Sequence, residues 1–303
     1  MGYDVIGDVH GQSGKLTALL RHLGYRQRNE TWLSPAGREA VFLGDLIDRG
    51  PGQVETLEIV RRMVDDGRAR CIMGNHEFNA IGYVTPGPEG FLRPHTEKNQ
   101  RQHAAFLAQV GEGSTLHREY VAWFRTLPVT LDLGGLRTVH AWWFDPHVDL
   151  IAARIPPGTA MDDEFVRRAH QRGTAEWAAM DGLTKGLEIA LPEELFFTDH
   201  AGIRRTEART RWWLENARTY REAAILNPGN VREIPHVVLP DDYRATPVRG
   251  SPVCVGHYWM EGTPMIETAK FACLDWSAAK DGPLVSYRWD GEQELDARKL
   301  AWV

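Results

Sequence analysis

Residues 44–50 read Gly-Asp-Leu-Ile-Asp-Arg-Gly and place two carboxylates and a guanidinium within one short segment. An apolar run at 40–43 precedes them and predicts a buried strand, while Gly-Pro-Gly at 50–52 predicts a turn. Carboxylates held close together raise each other's pKa unless another group neutralises them. A divalent ion such as Mn²⁺, Fe²⁺ or Zn²⁺, with nitrogen ligands nearby, is a common neutraliser. Alone, the segment is equally compatible with a polar turn carrying a surface Asp–Arg pair.

Two further motifs have the same construction. Residues 7–11 read Gly-Asp-Val-His-Gly after a strand-like run at 3–6, and residues 74–77 read Gly-Asn-His-Glu after a strand-like run at 69–73. Each time a predicted strand ends at a glycine, side chains of metal-ligand type follow, and a helix-like segment comes next. Three such motifs in this order favour a metal site over a polar turn. The candidate ligands are Asp8, His10, Asp45 and Asn75.

Together these motifs resemble those of the calcineurin-like metallophosphoesterases. The ending Asp48-Arg49-Gly50 is similar to the phosphoprotein-phosphatase branch, which includes Ser/Thr phosphatases and bacterial diadenosine tetraphosphate hydrolases. The resemblance is strong over the first quarter of the chain and patchy afterwards. It implies an α/β fold, a four-layer α/β/β/α sandwich with a mostly helical cap insertion. It also implies two divalent metal ions, for which Mn²⁺ is favoured and Fe or Zn are the alternatives.

The resemblance further implies a complete ligand set. The family supplies two more histidines from later strands, and His140, before Ala141, and His257, after Gly256, resemble them. One ion would be held by Asp8, His10 and Asp45, and the other by Asp45, Asn75, His140 and His257. The chain departs from the family at Trp142, where glycine is usual, and at residues 275–277, where Asp-Trp-Ser replaces Asp-Thr-Gly. These departures leave the ligands intact but can alter the shape of the cleft.

Such a site would hydrolyse a phosphoester with a hydroxide activated by two metal ions. Arg49 is the candidate phosphate clamp, because a guanidinium matches phosphate in a bidentate way. His76 is the candidate general acid for the leaving oxygen, with Asp48 as the partner that orients it. Arg209 and Arg211 are candidates for further phosphate contacts from the cap, and the alternative for them is a solvated basic surface.

Aromatic residues stand directly beside the late candidate ligands. They could stack a nucleobase of the substrate, or simply pack the wall of the cleft. These residues are Trp142, Trp143, Tyr258 and Trp259.

Two other histidines have no such context. His103 ends a segment, 83–103, whose prolines, glycines and charges predict an exposed loop, and His117 lies in the helix-like segment that follows. We expect both at the surface, without a role in the chemistry.

The elements that must position these residues follow from periodicity. Residues 1–75 alternate strand, helix, strand, helix, strand, which predicts a parallel sheet with the ligands at the carboxyl ends of its strands. Gly134-Gly135 between two apolar runs predicts a hairpin, and runs at 253–255, 271–274 and 284–287 predict a cluster of strands. With neither repeats nor a clear linker, we predict one domain over 1–303, in which 145–250 is a cap or lid insertion.

Composition narrows the partners. A net charge of −6 gives no electrostatic case for binding a membrane or a long nucleic acid. The resemblance to the family implies a phosphorylated small molecule, a nucleotide or a phosphoprotein as substrate. The three cysteines are widely spaced in apolar runs and predict buried reduced thiols. No run reaches transmembrane length, and we expect a cytoplasmic protein.

A rival hypothesis is a phosphate-binding protein of the same fold that has lost catalysis. A decayed enzyme usually lacks a ligand or the acid, whereas this sequence has every candidate ligand together with Asp48, Arg49 and His76. The sequence therefore favours an enzyme. It leaves the substrate open among a phosphomonoester or nucleotide, a diadenosine tetraphosphate or another dinucleoside polyphosphate, a Ser/Thr phosphoprotein and an RNA end.

Overall fold

A computed structural model gives the fold of residues 1–192, 195–198, 204–225, 237–241, 243 and 245–303. The chain forms two compact units, the first comprising Met1–Lys185 with Ser251–Val303 and the second Gly186–Gly250. In the described part of the chain, none of the helices is both long and apolar enough to cross a membrane.

The first unit contains most of the secondary structure. Its strands before the second unit are β1 Gly2–Ile6, β2 Arg26–Arg28, β3 Thr31–Leu33, β4 Arg38–Phe42, β5 Ala69–Cys71, β6 Pro86–Gly87, β7 Gly90–Phe91, β8 Thr130–Asp132 and β9 Arg137–Val139. Its helices are α1 Ser13–His22, α2 Gln53–Asp65, α3 Asn75–Val84, α4 Glu97–Val110, α5 Thr115–Phe124, α6 Asp145–Arg154, α7 Asp163–His170 and α8 Ala175–Lys185.

The second unit is built mainly from short strands. They are β10 Glu188–Ala190, β11 Phe197–Thr198, β12 Arg204–Arg205 and β13 Glu207–Arg209, followed by the one-turn helix α9 Tyr220–Ala223. The chain then returns to the first unit with β14 Val253–Val255, β15 Phe271–Cys273, β16 Val285–Trp289, a 3₁₀ turn at Ala297–Lys299 and β17 Leu300–Trp302.

Two sheets make the centre of the first unit. One has the strand order β17-β16-β1-β4-β5, in which β1, β4 and β5 are parallel as the strand–helix alternation predicts. The other has the order β15-β14-β9-β8, and its β8–β9 hairpin is the one predicted from Gly134-Gly135. Apolar side chains of both sheets share one core, for example Val5 and Tyr287 from the first and Cys254 and Ala272 from the second.

Helices lie outside the sheets. Leu16, Leu19 and Leu20 of α1 are fully buried, as their i, i+3, i+4 spacing predicts, and α2 packs against β5. The predicted α/β sandwich is confirmed. Three helices of the predicted cap segment, α6, α7 and α8, belong to the first unit. The second unit contains α9 and has its own small apolar core, which includes Ile189, Ala208 and Tyr220.

One prediction about the last strands is wrong. The runs at 253–255, 271–274 and 284–287 do not form a single sheet, because β14 pairs with β15 and β9 whereas β16 pairs with β1 in the other sheet. The three cysteines are free and buried, as predicted. The division into one domain with a cap over 145–250 stays a prediction.

Candidate functional site

The candidate ligands follow strands of both sheets. Asp8 and His10 come after β1, Asp45 after β4, and Asn75 begins α3 just after β5. From the other sheet, His140 follows β9 and His257 follows β14. Because β1, β4 and β5 are parallel, and β9 and β14 are parallel, their carboxyl ends meet at common edges.

Strained backbone marks these loops. Among the described residues, eight residues other than glycine have positive φ, and six of them lie at the site: His10, Asp45, Asp48, Arg49, His257 and Trp259. Such conformations cost about 1–3 kcal/mol each and persist only where surrounding contacts enforce them. One enforcing contact is between two loops, where the His10 amide donates to the Asp45 carbonyl at 2.8 Å.

The Glu77 side chain also holds these loops in place, a role that the sequence pattern did not predict. This fully buried carboxylate accepts the backbone amides of Asp45, Leu46 and Gly74, all at 2.8–2.9 Å. Burial and the charge of Asp45 raise the pKa of Glu77 to about 7. Its place in the Gly-Asn-His-Glu motif was the available signal.

Asp45 lies where two candidate metal clusters meet. The first cluster is His10, Asp45 and His76, and the second is Asp45, His140 and His257. The Asp45 Oδ2 atom lies 3.5 Å from His10 Nε2, 3.4 Å from His140 Nε2 and 3.9 Å from His76 Nε2. A carboxylate that reaches two clusters at once is the arrangement a two-metal site requires.

Backbone carbonyls orient two of these imidazoles. His10 Nδ1 lies 2.8 Å from the Ile47 carbonyl and His140 Nδ1 lies 2.7 Å from the Leu43 carbonyl. Because a carbonyl only accepts, each Nδ1 carries the proton, and each Nε2 is left to face Asp45 with a lone pair. This pairing of a histidine ligand with a fixed outer partner is typical of metal sites.

The remaining candidate ligands, Asn75 and Asp8, contact residues of the second cluster. Asn75 Oδ1 lies 3.2 Å from His140 Nε2 and 2.8 Å from His257 Nδ1. Asp8 Oδ2 accepts the His257 backbone amide at 3.0 Å. The structure thus gathers all six candidate ligands. It also places His76, predicted as an acid, close enough to His10 and Asp45 to be a ligand of the first cluster.

The donor set fits divalent cations. Asp8 Oδ1 and His10 Nε2 are buried and make no hydrogen bond within the described part of the chain. A Cβ at Gly256 would lie 1.9 Å from Asp8 Oδ1, so the glycine keeps space around that oxygen. Burial and the charge of Asp275 raise the pKa of Asp8 well above its ordinary value. Buried oxygen and nitrogen donors of this kind suit Mn²⁺, Fe²⁺ or Zn²⁺.

His76 and Asp48 form the predicted pair. His76 Nδ1 lies 2.5 Å from Asp48 Oδ2, and both side chains are buried. Burial opposes charge on Asp48, but hydrogen bonds from His103 and His76 lower its pKa to about 2. Burial likewise opposes the cationic form of His76, while Asp45 and Asp48 raise its pKa above the ordinary value. The two carboxylates therefore favour the protonated form of His76.

The expectation that His103 and His117 lie at the surface is wrong. His103 is 4% exposed and its Nδ1 lies 2.8 Å from Asp48 Oδ1, while His117 is 1% exposed and its Nδ1 accepts the Gly113 amide at 3.1 Å. The predicted loop over 83–103 already contains the start of α4 at Glu97, and α4 turns His103 inward together with Phe106 and Val110. Helical periodicity was judged from apolar residues, and histidine is polar, so the pattern did not predict that His103 is buried.

Arg49 packs on an aromatic ring. Its guanidinium carbon lies 3.6 Å from the centroid of the Trp259 ring, and Lys280 Nζ lies 4.7 Å from the same ring. Asp275, another residue without a predicted role, holds this loop by accepting the amides of Trp259 and Ser277 at 2.9 and 3.0 Å. Trp259 is thus a platform for cations near the site, at 6.3 Å between its ring centroid and that of His10.

The other aromatic candidates contact neighbouring residues of the chain. Trp142 is 8% exposed and stacks on Phe144 at 4.6 Å between centroids, and the Tyr258 hydroxyl donates to the Ala141 carbonyl at 3.2 Å. Trp143 donates to Asp145 at 2.8 Å. These contacts favour a structural role for the three rings.

Arg209 and Arg211 lie in the second unit. Arg209 Nε is 3.9 Å from Glu188 Oε1 across the β10–β13 pair, and the Arg211 backbone amide donates to the Ala223 carbonyl at 2.6 Å. Their contact with a substrate phosphate stays a prediction.

Comparisons with known proteins give matches by sequence and by structure. The sequence profile of the calcineurin-like phosphoesterase family matches residues 1–177, more than half of the chain. The asymmetrical bis(5'-nucleosyl)-tetraphosphatase PrpE of Bacillus subtilis (strain 168) is 39% identical over 145 residues, which are 46% of this chain and 57% of that protein. The symmetrical bis(5'-nucleosyl)-tetraphosphatase of Aromatoleum aromaticum is 31% identical over 46% of this chain and 44% of that protein. The chain thus spans about half the length of these curated relatives. A protein serine/threonine phosphatase from Saccharomyces cerevisiae superposes with a TM-score of 0.48 at 13% identity, over 100% of this chain and 79% of that one.

Proposed function

The chain belongs to the calcineurin-like phosphoesterase family, and we propose that it is a metal-dependent phosphoester hydrolase with a two-metal site. The observation that carries the proposal is the position of Asp45, whose Oδ2 faces imidazole nitrogens of both clusters. The proposed ligands are Asp8, His10, Asp45, Asn75, His140 and His257. When bound, the ions would lower the pKa of a water nucleophile and offset the charge of the phosphate.

The residues of the chain divide the remaining work. Arg49, held on the Trp259 ring, would bind phosphate oxygens in a bidentate way. His76 would donate the proton that the leaving oxygen needs, and Asp48 keeps that imidazole oriented and charged through Nδ1. Asp45, Asp48 and His76 are buried, and electrostatic interactions are stronger in a buried environment than in water.

We propose a nucleotide-type substrate, and dinucleoside polyphosphates first among them. Support comes from the two relatives named as bis(5'-nucleosyl)-tetraphosphatases. The match to each of them covers 46% of this chain. A phosphomonoester or a Ser/Thr phosphoprotein is the competing substrate. Mn²⁺ is the proposed metal because the ligand set contains oxygen and nitrogen without a thiolate.

The experiment is a substrate screen on the full chain, with Mn²⁺ and after chelation. Diadenosine tetraphosphate, a mononucleotide, para-nitrophenyl phosphate and a phosphorylated peptide would be compared by kcat/KM. Chelation should abolish hydrolysis and Mn²⁺ should restore it. Undiminished hydrolysis by the chelated protein would refute the two-metal mechanism. A preference for the phosphopeptide over every nucleotide would refute the substrate class but leave the mechanism standing.

A further inference from the structure

Asp48 is held by two histidines, one on each carboxylate oxygen. His76 Nδ1 contacts Oδ2 at 2.5 Å, and His103 Nδ1 contacts Oδ1 at 2.8 Å. We propose that His103 is a positioning residue for the reaction: its Nδ1–H holds the Asp48 carboxylate in the orientation that aligns His76 with the leaving group. This inference rests on the proposed hydrolase function. It extends the predicted His76–Asp48 pair to a three-residue chain.

The direction of the two hydrogen bonds is fixed by chemistry. An aspartate is a carboxylate at neutral pH and can only accept hydrogen bonds. Both imidazoles must therefore present Nδ1–H to it. Hydrogen bonds to an ionised acceptor are roughly twice as strong as neutral ones. Two of them on one carboxylate leave it little freedom to rotate away from His76.

Helix α4 fixes His103 and the Asp48 loop together. The His103 ring packs against Tyr83 and Phe106, at 5.1 and 5.0 Å between centroids. Two turns further along α4, Gln109 accepts the amide of Gln53 at 2.9 Å, and Gln53 Oε1 accepts the Asp48 amide at 2.7 Å. The helix thus holds the loop through the Asp48 side chain and, by way of Gln53, through its backbone. The contact from His103 is therefore one of two that connect α4 to the Asp48 loop, and the loop keeps the second contact when His103 is replaced.

Loss of the His103 donor should affect one step selectively. Asp48 Oδ1 would then be buried without a partner, which destabilises a carboxylate in its present orientation. The consequence reaches the reaction through His76, so it should grow with the need to protonate the leaving oxygen. If His103 served packing alone, its loss would reduce the fraction of folded protein. The rate of hydrolysis would then fall by the same factor for every substrate.

The test uses variants that separate hydrogen bonding from shape. His103→Asn keeps a donor at the place of Nδ1, and His103→Leu is nearly isosteric with asparagine but has no donor. His103→Phe keeps a ring beside Tyr83 and Phe106 and also lacks the donor. All are assayed with Mn²⁺ on glycerol phosphate, an alkyl ester, and on para-nitrophenyl phosphate, whose leaving group needs little help. Metal content, KM and the melting temperature are measured alongside.

We expect His103→Leu and His103→Phe to lose about 10- to 100-fold in kcat on the alkyl ester, as outer-shell partners typically do. On the aryl ester the loss should be clearly smaller, and His103→Asn should stay near wild type on both, with KM and metal content unchanged. In a His76→Asn background, His103→Leu should cause no further loss, because it acts through the same imidazole.

Several outcomes would overturn the inference. Equal losses in the asparagine and leucine variants would assign His103 to packing, and equal losses on the two esters would exclude action through His76. Wild-type rates in the leucine variant would show that His103 has no role. If neither the leucine nor the phenylalanine variant folds, the asparagine variant decides, since a large loss there contradicts the donor role. An inactive wild-type protein would instead refute the proposed function itself.

Discussion

Replacing Asp45 and Asp48 by asparagine, one at a time, separates metal binding from proton transfer. The two residues lie three positions apart in one loop, each is 2% exposed, and each has a left-handed backbone. Asparagine tolerates that conformation better than most residues and keeps the shape of aspartate. The pair is therefore matched in burial, backbone and substitution. The two variants differ in what the lost charge contacts.

The Asp45 variant should lose metal. Its carboxylate lies within 4 Å of imidazole nitrogens from both clusters, so one substitution removes the shared negative charge of the whole centre. Its other oxygen accepts the His76 amide at 2.9 Å, which asparagine can still do through its carbonyl. We expect most of both ions to be lost, with hydrolysis lost along with them.

The Asp48 variant should keep its metal and turn over more slowly. A hydrogen bond to a charged acceptor contributes about 1.5–3 kcal/mol, and one between neutral groups about 0.5–1.5 kcal/mol. The bond between His76 and residue 48 therefore weakens by about 1–1.5 kcal/mol. At 1.36 kcal/mol for each factor of ten, kcat should fall about tenfold.

Elemental analysis of the purified proteins gives the metal content, and para-nitrophenyl phosphate and an alkyl phosphate give the rates. Circular dichroism checks that both variants fold. Equal metal loss in the two variants would refute the assignment, because Asp48 would then be part of the metal centre. Full metal content in the Asp45 variant would refute the shared ligand.

Three further outcomes are expected. His76→Asn should slow the hydrolysis of an alkyl phosphate by about 10²–10⁴, and that of a substrate with an acidic leaving group by less. The measurement is kcat/KM across a series of esters. An equal loss for all esters would indicate that His76 is a metal ligand, as its place in the first cluster allows. Trp259→Ala should raise KM about two- to fivefold with kcat little changed, because the ring that supports Arg49 is lost. The control variant Trp259→Phe keeps a ring and should have a KM near that of wild type. A fall in kcat with KM unchanged would contradict this role. Burial raises the pKa of Glu267 to about 8 in the folded protein. The stability that this side chain contributes is fully present at a pH below the ordinary pKa of glutamate, and it is lost as the pH rises toward 8. Glu267→Gln should therefore melt with a weaker dependence on pH between 5 and 8 than wild type, and an unchanged slope would show that Glu267 does not titrate there.

The sequence by itself determined the parallel part of the fold and the composition of the site. Both are local properties. Alternating strand and helix patterns predict parallel strands, and parallel strands bring their carboxyl ends together, so motifs such as Gly-Asp-Val-His-Gly must meet in space. The hairpin at Gly134-Gly135 is equally local, since two glycines between apolar runs leave few other conformations. Residue types then indicate the chemistry, because buried carboxylates and imidazoles need a cation.

Pairings between distant segments were decided only by the tertiary structure. Strand β16 carries the same kind of apolar pattern as β14 and β15, and nothing in that pattern says that it pairs with β1 in the other sheet. Periodicity reports which face of an element is buried, but it does not report the partner of that face.

The polar contacts around the site depend on such pairings most of all. His103 meets Asp48 across 55 positions of sequence, and Glu77 reaches the Asp45 amide across 32. Asp275 holds Trp259 from the strand end beside it. A buried polar side chain is stable only where a specific partner faces it, and that partner is set by how helices and loops pack rather than by its neighbours in sequence. For this reason the ligand types could be predicted from the sequence, whereas the groups that hold the acid and the loops in place required the folded chain.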